Sequence, residues 1–141
     1  AFDRAETLAH HLEAAISSFV ELGMEVVGQA SVEGPWVDRI AGLDDVRADV
    51  AMVRTPDGHS QLELTRSRSP PLVSAEPRVA PPNTLGLRQI MFAVDDIEDV
   101  LARLRAHGAE LIGEITQYED MYRLCYIRGP EGIIITLAEQ L

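Results

Sequence analysis

Leu12-Glu13-Ala14-Ala15-Ile16-Ser17-Ser18-Phe19-Val20-Glu21-Leu22-Gly23, followed by Glu25-Val26-Val27-Gly28, decides the fold, because the chain repeats these landmarks once. Ile97-Glu98, Gly108 and Glu110-Leu111-Ile112-Gly113 each stand 85 positions after Leu12-Glu13, Gly23 and Glu25-Val26-Val27-Gly28. In both copies an apolar stripe at helical spacing runs into a glycine, which readily adopts the left-handed conformation that stops a helix. A short apolar strand pattern then follows. A second echo sets Thr55-Pro56-Asp57-Gly58 before Leu62-Glu63-Leu64, and Gly129-Pro130-Glu131-Gly132 before Ile135-Thr136-Leu137. Proline fixes φ early in such a turn and glycine accepts φ > 0 late, so both read as hairpin connections. Two copies of one supersecondary unit imply a pseudo-symmetric molecule.

The remaining segments fit that unit. Residues 24–32 read as a strand, and residues 36–43 as a short helical turn. Residues 46–55 alternate, with Val46, Ala48, Val50 and Met52 expected on the buried face against Arg47 and Asp49, and residues 61–65 return as the next strand. In the second copy residues 89–94, 110–115, 121–128 and 133–138 read as strands. Ile97, Val100, Leu101 and Leu104 form the helical stripe, capped by Asp95 or Asp96. Each half is therefore βαβββ, in an α+β protein. Residues 67–84 hold five prolines and no periodicity. That segment is expected to link a module at 1–66 to a module at 85–141 within one compact domain, packing across a surface or covering a site. By the 85-residue offset, residues 4–11 should form the first strand, although their composition favours helix.

Composition narrows the function. A formal charge of −11 and a pI near 4.6 argue against nucleic acid as a partner, since phosphate attraction needs a basic face. The single cysteine, Cys125, leaves no intramolecular disulfide. No apolar run reaches the roughly 18 residues that span a bilayer, and no secretory signal is visible. The expectation is a soluble cytoplasmic protein that uses neither nucleic acid nor membrane as a partner.

Phe92-Ala93-Val94-Asp95-Asp96-Ile97, then Gly108-Ala109-Glu110, then Arg128-Gly129-Pro130-Glu131-Gly132-Ile133-Ile134-Ile135-Thr136-Leu137 carry a resemblance to the vicinal-oxygen-chelate superfamily, and the first half matches it at 12–28 and 56–64. That superfamily includes glyoxalase I, the extradiol dioxygenases, methylmalonyl-CoA epimerase, and the fosfomycin- and bleomycin-resistance proteins. The resemblance implies paired βαβββ modules forming an open curled sheet around a cleft, usually in a homodimer. It also implies four metal ligands, from equivalent strands of the two modules. Those positions hold Arg4, Glu63, Gln89 and Thr136. Glu63 is a good ligand and Gln89 an acceptable one. Thr136 is a weak neutral donor, and the guanidinium of Arg4 stays protonated and repels a cation. The expectation is a small-molecule binder in the inter-module cleft without the family's full metal site and with no cofactor. The alternative is a lyase or isomerase of the glyoxalase I type that uses zinc, nickel, manganese or iron.

Other candidates are weighed beside these four. Glu63 reads either as a carboxylate paired with Arg4 or Arg123, or as a general base. Glu63, Gln89 and Thr136 are expected to face the cleft. Trp36 reads first as core and second as a ligand-stacking residue. Tyr122 and Tyr126 share a strand face by parity and are candidate ligand contacts, near Tyr118; Cys125 points the other way and lacks a histidine base. Adjacent His10 and His11 cannot easily serve one ion from a strand, His59 reads as an exposed turn residue, and His107 as a helix C-terminal residue.

Overall fold

The computed structural model describes residues 2–141, in two compact units that divide between Ser74 and Ala75. The first unit contains β1 (Ala5–Leu8), α1 (Leu12–Glu21), β2 (Glu25–Glu33), α2 (Pro35–Ala41), β3 (Arg47–Arg54) and β4 (Gln61–Ser69). The second contains β5 (Gln89–Val94), α3 (Ile97–Arg105), β6 (Glu110–Tyr118), β7 (Tyr122–Arg128) and β8 (Ile134–Gln140), with a single 3-10 turn at Pro130–Gly132. Their sheets have strand orders β1-β4-β3-β2 and β5-β8-β7-β6, each with its first strand parallel to its last and the other pairs antiparallel. Both sheets are open mixed sheets, in the α+β class that the repeat implies.

The duplication holds at the level of individual hydrogen bonds. At the end of α1, Gly23 N–H donates to Val20 O (2.9 Å) and Met24 N–H to Phe19 O (3.1 Å). At the end of α3, Gly108 N–H donates to Arg105 O (3.0 Å) and Ala109 N–H to Leu104 O (3.2 Å), the same two bonds 85 residues on. Gly23 and Gly108 adopt φ of 98° and 88°, where an L side chain would be strained. The hairpin turns match as well: Gly58 N–H bonds Thr55 O at 2.8 Å, and Gly132 N–H bonds Gly129 O at 3.2 Å.

Strand register repeats too. Ala5 lies opposite Leu62 on β4, as Ile90 lies opposite Ile135 on β8; Met52 lies opposite Glu63, as Tyr126 lies opposite Thr136. Each sheet therefore presents the same alternation. In the first unit Ala51, Val53, Leu62 and Leu64 are buried together with Leu12, Ala15, Ile16 and Phe19 of α1. In the second, Ile127, Ile135 and Leu137 are buried with Ile97, Val100, Leu101 and Leu104 of α3. Burying each such large side chain contributes roughly 1.5–3 kcal/mol. The opposite face of each sheet is the one that α1 or α3 leaves uncovered, called helix-free below in that sense, and it holds the polar residues described below.

Several sequence expectations need correction. Val46 and Ala48 are buried as expected, but further along β3 the buried residues are Ala51 and Val53, while Val50 and Met52 are only partly buried. The helix covers the odd-numbered face, which leaves Val50 and Met52 on the helix-free one. The first strand does form, despite its composition, but is only four residues long. Pairing with β4, extended by Ala9 N–H to Thr65 O (2.9 Å), overrides its local preference. His10 and His11 consequently lie beyond the strand, with His11 at the start of α1 and ring centroids 6.4 Å apart. Asp96 caps α3, accepting from Asp99 N–H at 3.1 Å. β4 extends to Ser69, three residues into the proline-rich stretch. Further along that stretch Ala80 is buried, and its carbonyl accepts from Arg128 Nη1 at 2.8 Å.

Candidate functional site

On the helix-free face of the first sheet, β4 places Glu63 and Thr65 on one side of the pleat, and β1 places Glu6 directly opposite Glu63. Arg4, just before β1, lies on the same side. Its Nε is 3.9 Å from Glu63 Oε2 and 3.7 Å from Asp3 Oδ2, and its Nη1 donates to Met52 Sδ at 3.7 Å. Thr65 is buried, and its hydroxyl donates to Glu6 Oε2 at 2.8 Å. The Glu63 side chain is 25% exposed. Burial, and secondarily its hydrogen bond to and repulsion from Glu6, push the Glu63 carboxyl above its ordinary range, while Arg4 and Thr65 oppose the shift.

Arg123, the other partner expected for Glu63, has its ion pairs within its own unit. By parity it belongs to the helix-covered face of β7, where it holds Glu98 at 3.0 Å and Glu139 at 3.9 Å. Glu6 and Thr65 escaped notice in the sequence because the first strand was in doubt. The offset that aligns Arg4 with Gln89 maps Glu6 onto Met91, and only the strand register sets Glu6 beside Glu63.

The helix-free face of the second sheet has a different chemistry. Thr136 is 5% exposed, and its hydroxyl donates to Gln89 Oε1 at 2.6 Å. Tyr126 lies opposite Thr136, and Tyr122 lies opposite Gln140 on the same side, so the parity argument for the two tyrosines holds. Tyr118, at the end of β6, is largely exposed. Cys125 is buried on the other face, and burial raises its thiol pKa. Trp36 is not a core residue: it is 53% exposed in α2, a helix with no buried residue, and its indole lies along Gly34. Sequence apolarity misled here because α2 buries none of its seven residues and so gives the ring no core to enter. His59 follows the exposed hairpin, its N–H bonded to Asp57 Oδ1 at 2.9 Å.

The family's four metal positions can be tested on donor chemistry. In the first unit the carboxylate of Glu63 already faces the guanidinium of Arg4. In the second, the carbonyl oxygen of Gln89 already accepts from Thr136. Neither pair offers a vacant set of anionic or imidazole donors, and no cluster of three or more His, Cys, Asp or Glu suited to a metal occurs among the described residues. These residues do not fit the ion. Among the described residues no helix is long and apolar enough to cross a membrane.

The model of the glyoxalase/bleomycin resistance protein/dioxygenase superfamily matches residues 6–126. This chain belongs to that superfamily. A glyoxalase family protein from Bacillus cereus is 50% identical over 99% of this chain and 93% of its own, with a TM-score of 0.94. The trypanothione-dependent glyoxalase I of Leishmania major superposes at a TM-score of 0.67 with 16% identity, over 99% of this chain and 86% of its own. A fosfomycin resistance protein from Listeria monocytogenes, solved with Mn(II) and a dihydroxypropylphosphonic acid, gives 0.64 with 10% identity, over all of this chain and 90% of its own. At such identities the last two show a shared fold alone. None of the curated proteins searched matches this chain.

Proposed function

We propose that this superfamily member binds a small organic molecule on the helix-free faces of its sheets and does so without a resident metal. The observation that carries this reading is the paired state of the four positions where metal-using relatives place ligands. A permanent cation, Arg4, stands beside Glu63, and a hydroxyl, Thr136, occupies Gln89. Glu63, Tyr122, Tyr126, Gln89, Thr136 and the exposed Trp36 are the proposed contacts. Glu63 can act as an acceptor or general base because burial raises its proton affinity above that of an ordinary glutamate. The exposed apolar side chains Val26, Val27, Trp36 and Ile40 along β2 and α2, with Leu43 just beyond, support a homodimer as the working assembly; the single cysteine fits the cytoplasm as its place.

Elemental analysis of protein purified without chelator is expected to find substoichiometric zinc, nickel, manganese and iron. Calorimetric titration with each ion should give no binding at micromolar concentration. Stoichiometric metal lost on replacing Glu63 and Gln89 would overturn the reading in favour of the metal-dependent lyase or isomerase. The double replacement Arg4→His, Thr136→Glu is expected to create metal affinity that the unmodified chain lacks. Light scattering at working concentration checks the dimer.

A further inference from the structure

The proline-rich stretch is fastened to the second unit at its middle. Pro77, Pro81 and Pro82 fix φ on either side of Arg78-Val79-Ala80, so this part of the chain has few conformations to lose on settling against a surface. Thr84 closes a turn behind it, with its N–H 3.0 Å and its hydroxyl 2.7 Å from Pro81 O. The Arg78 carbonyl lies so close to Gly132 that a Cβ there would stand 3.0 Å from it. Ala80 is 4% exposed, although Val79 beside it is 65% exposed. One nitrogen joins the two sides: Arg128 Nη1 donates to Ala80 O at 2.8 Å and to Gly132 O at 3.0 Å. A permanently charged donor puts both bonds in the strong class.

Strand register places that fastening at one end of the helix-free face. Arg128 stands opposite Ile134 on β8, and Gln89 on β5 stands opposite Ile134 from the other side. Arg128, Ile134 and Gln89 therefore form the end row of the face, next to the row of Tyr126, Thr136 and Met91. Ile134 is 2% exposed on a face that α3 leaves bare, so its cover is not the helix. We propose that residues 78–82 are a strap that walls off the Gln89 end of this face, with Arg128 as the positioning residue that holds the strap there. A ligand on the face is then stopped at the row of Gln89 and Ile134 and extends from Thr136 and Tyr126 toward Tyr122. The inference rests on the function proposed above for the choice of face, but its test needs no ligand.

Limited trypsin digestion and paramagnetic relaxation read the strap in the full chain. The bond after Arg78 is a trypsin site whose carbonyl is packed against Gly132, so cleavage there requires the strap to lift. Arg128→Met keeps the apolar stem and removes the charged donor. Cleavage after Arg78, identified by mass, is expected to speed up about tenfold or more, the factor for losing a hydrogen bond from a charged group. Arg128→Lys should restore most of the protection, since a single nitrogen makes both bonds. With a neutral gadolinium chelate in solution, the Ile134 methyl protons should relax faster in Arg128→Met than in the unmodified chain. Those of Ile127 and Leu137, buried with α3, should not change. Unchanged cleavage in Arg128→Met would overturn the role of Arg128, and faster cleavage with Ile134 still shielded would overturn the wall. Should Arg128→Met not fold, Ala80→Lys lifts the strap by setting a like charge beside Arg128, and the same two readings decide in the same way. A failed search for a ligand would count against the proposed function and leave both readings untouched.

Discussion

At the scale of single residues, charge decides more than shape. Glu63 and Asp49 are pushed in opposite directions and so give opposite pH signatures. Asp49 accepts from Arg66 at 2.8 Å and from Ser31 Oγ at 2.9 Å, with Arg68 at 3.3 Å, and these hold its carboxyl below the ordinary value of 3.8. Its stabilising contribution is present above 3.8 and lost as pH falls through the lowered value. Glu63 behaves in reverse: its contribution is complete below the ordinary 4.5 and disappears as pH rises through the raised value. Thermal unfolding of Glu63→Gln is therefore expected to match the unmodified chain in acid and to exceed it near neutrality. A variant less stable at pH 7 than at pH 4, relative to the unmodified chain, would contradict this sign. Glu63 was a candidate in the sequence because it stands at a ligand position that the family resemblance implies, but its partner could not be chosen from sequence. Arg4 and Arg123 differ by which sheet face they occupy, and only register settles that.

At the scale of elements, the repeat gives matched experiments. Phe19 and Leu104 occupy equivalent, almost fully buried positions in α1 and α3, and truncation to alanine should cost about 3–5 and about 2–5 kcal/mol, respectively. At Gly23 and Gly108 an added Cβ would meet nothing within 4 Å, so alanine there costs only backbone strain, about 1–2 kcal/mol in each helix. Asparagine should cost less than alanine at both, and denaturant midpoints would show it. A charge inversion also emerges. Asp49 opposite Arg66 on β3 and β4 corresponds to Arg123 opposite Glu139 on β7 and β8. In the second unit Glu139 accepts from Ile97 N–H at 2.8 Å, so the acidic partner lies at the start of the helix, where the dipole favours it. Asp49→Arg and Arg66→Glu should each cost about 0.5–1 kcal/mol, and the double variant should recover most of the loss. The helices, turns and offset were legible in sequence because glycine and proline mark them. The buried face of β3 was not, because apolar residues occur at both parities there and the position of α1 breaks the tie.

At the scale of the whole molecule, two copies of one backbone pattern carry different side chains. Equivalent positions hold Arg4 and Gln89, Glu6 and Met91, Glu63 and Thr136, Met52 and Tyr126. Family membership was readable from the ordered landmarks; the identity of a ligand was not, since recognition depends on these diverged positions. With a formal charge of −11, mutual repulsion works against the compact state, and moderate sodium chloride is expected to raise the unfolding temperature. A fall with salt would mean that the exposed ion pairs outweigh the repulsion.

The first strand has one further consequence. Four residues of β1 secure Glu6, and Arg4 precedes them, whereas the equivalent β5 is six residues long. A short edge strand opens easily, so backbone amides of residues 5–8 should exchange with deuterium faster than those of 61–65, which β3 also holds. Each opening would carry Arg4 and Glu6 away together, leaving Glu63 briefly without its cation and its carboxyl neighbour. The time constant of that fraying would then set how often the carboxyl meets solvent as a free group, and a cross-link that pins residue 7 to residue 64 would slow it.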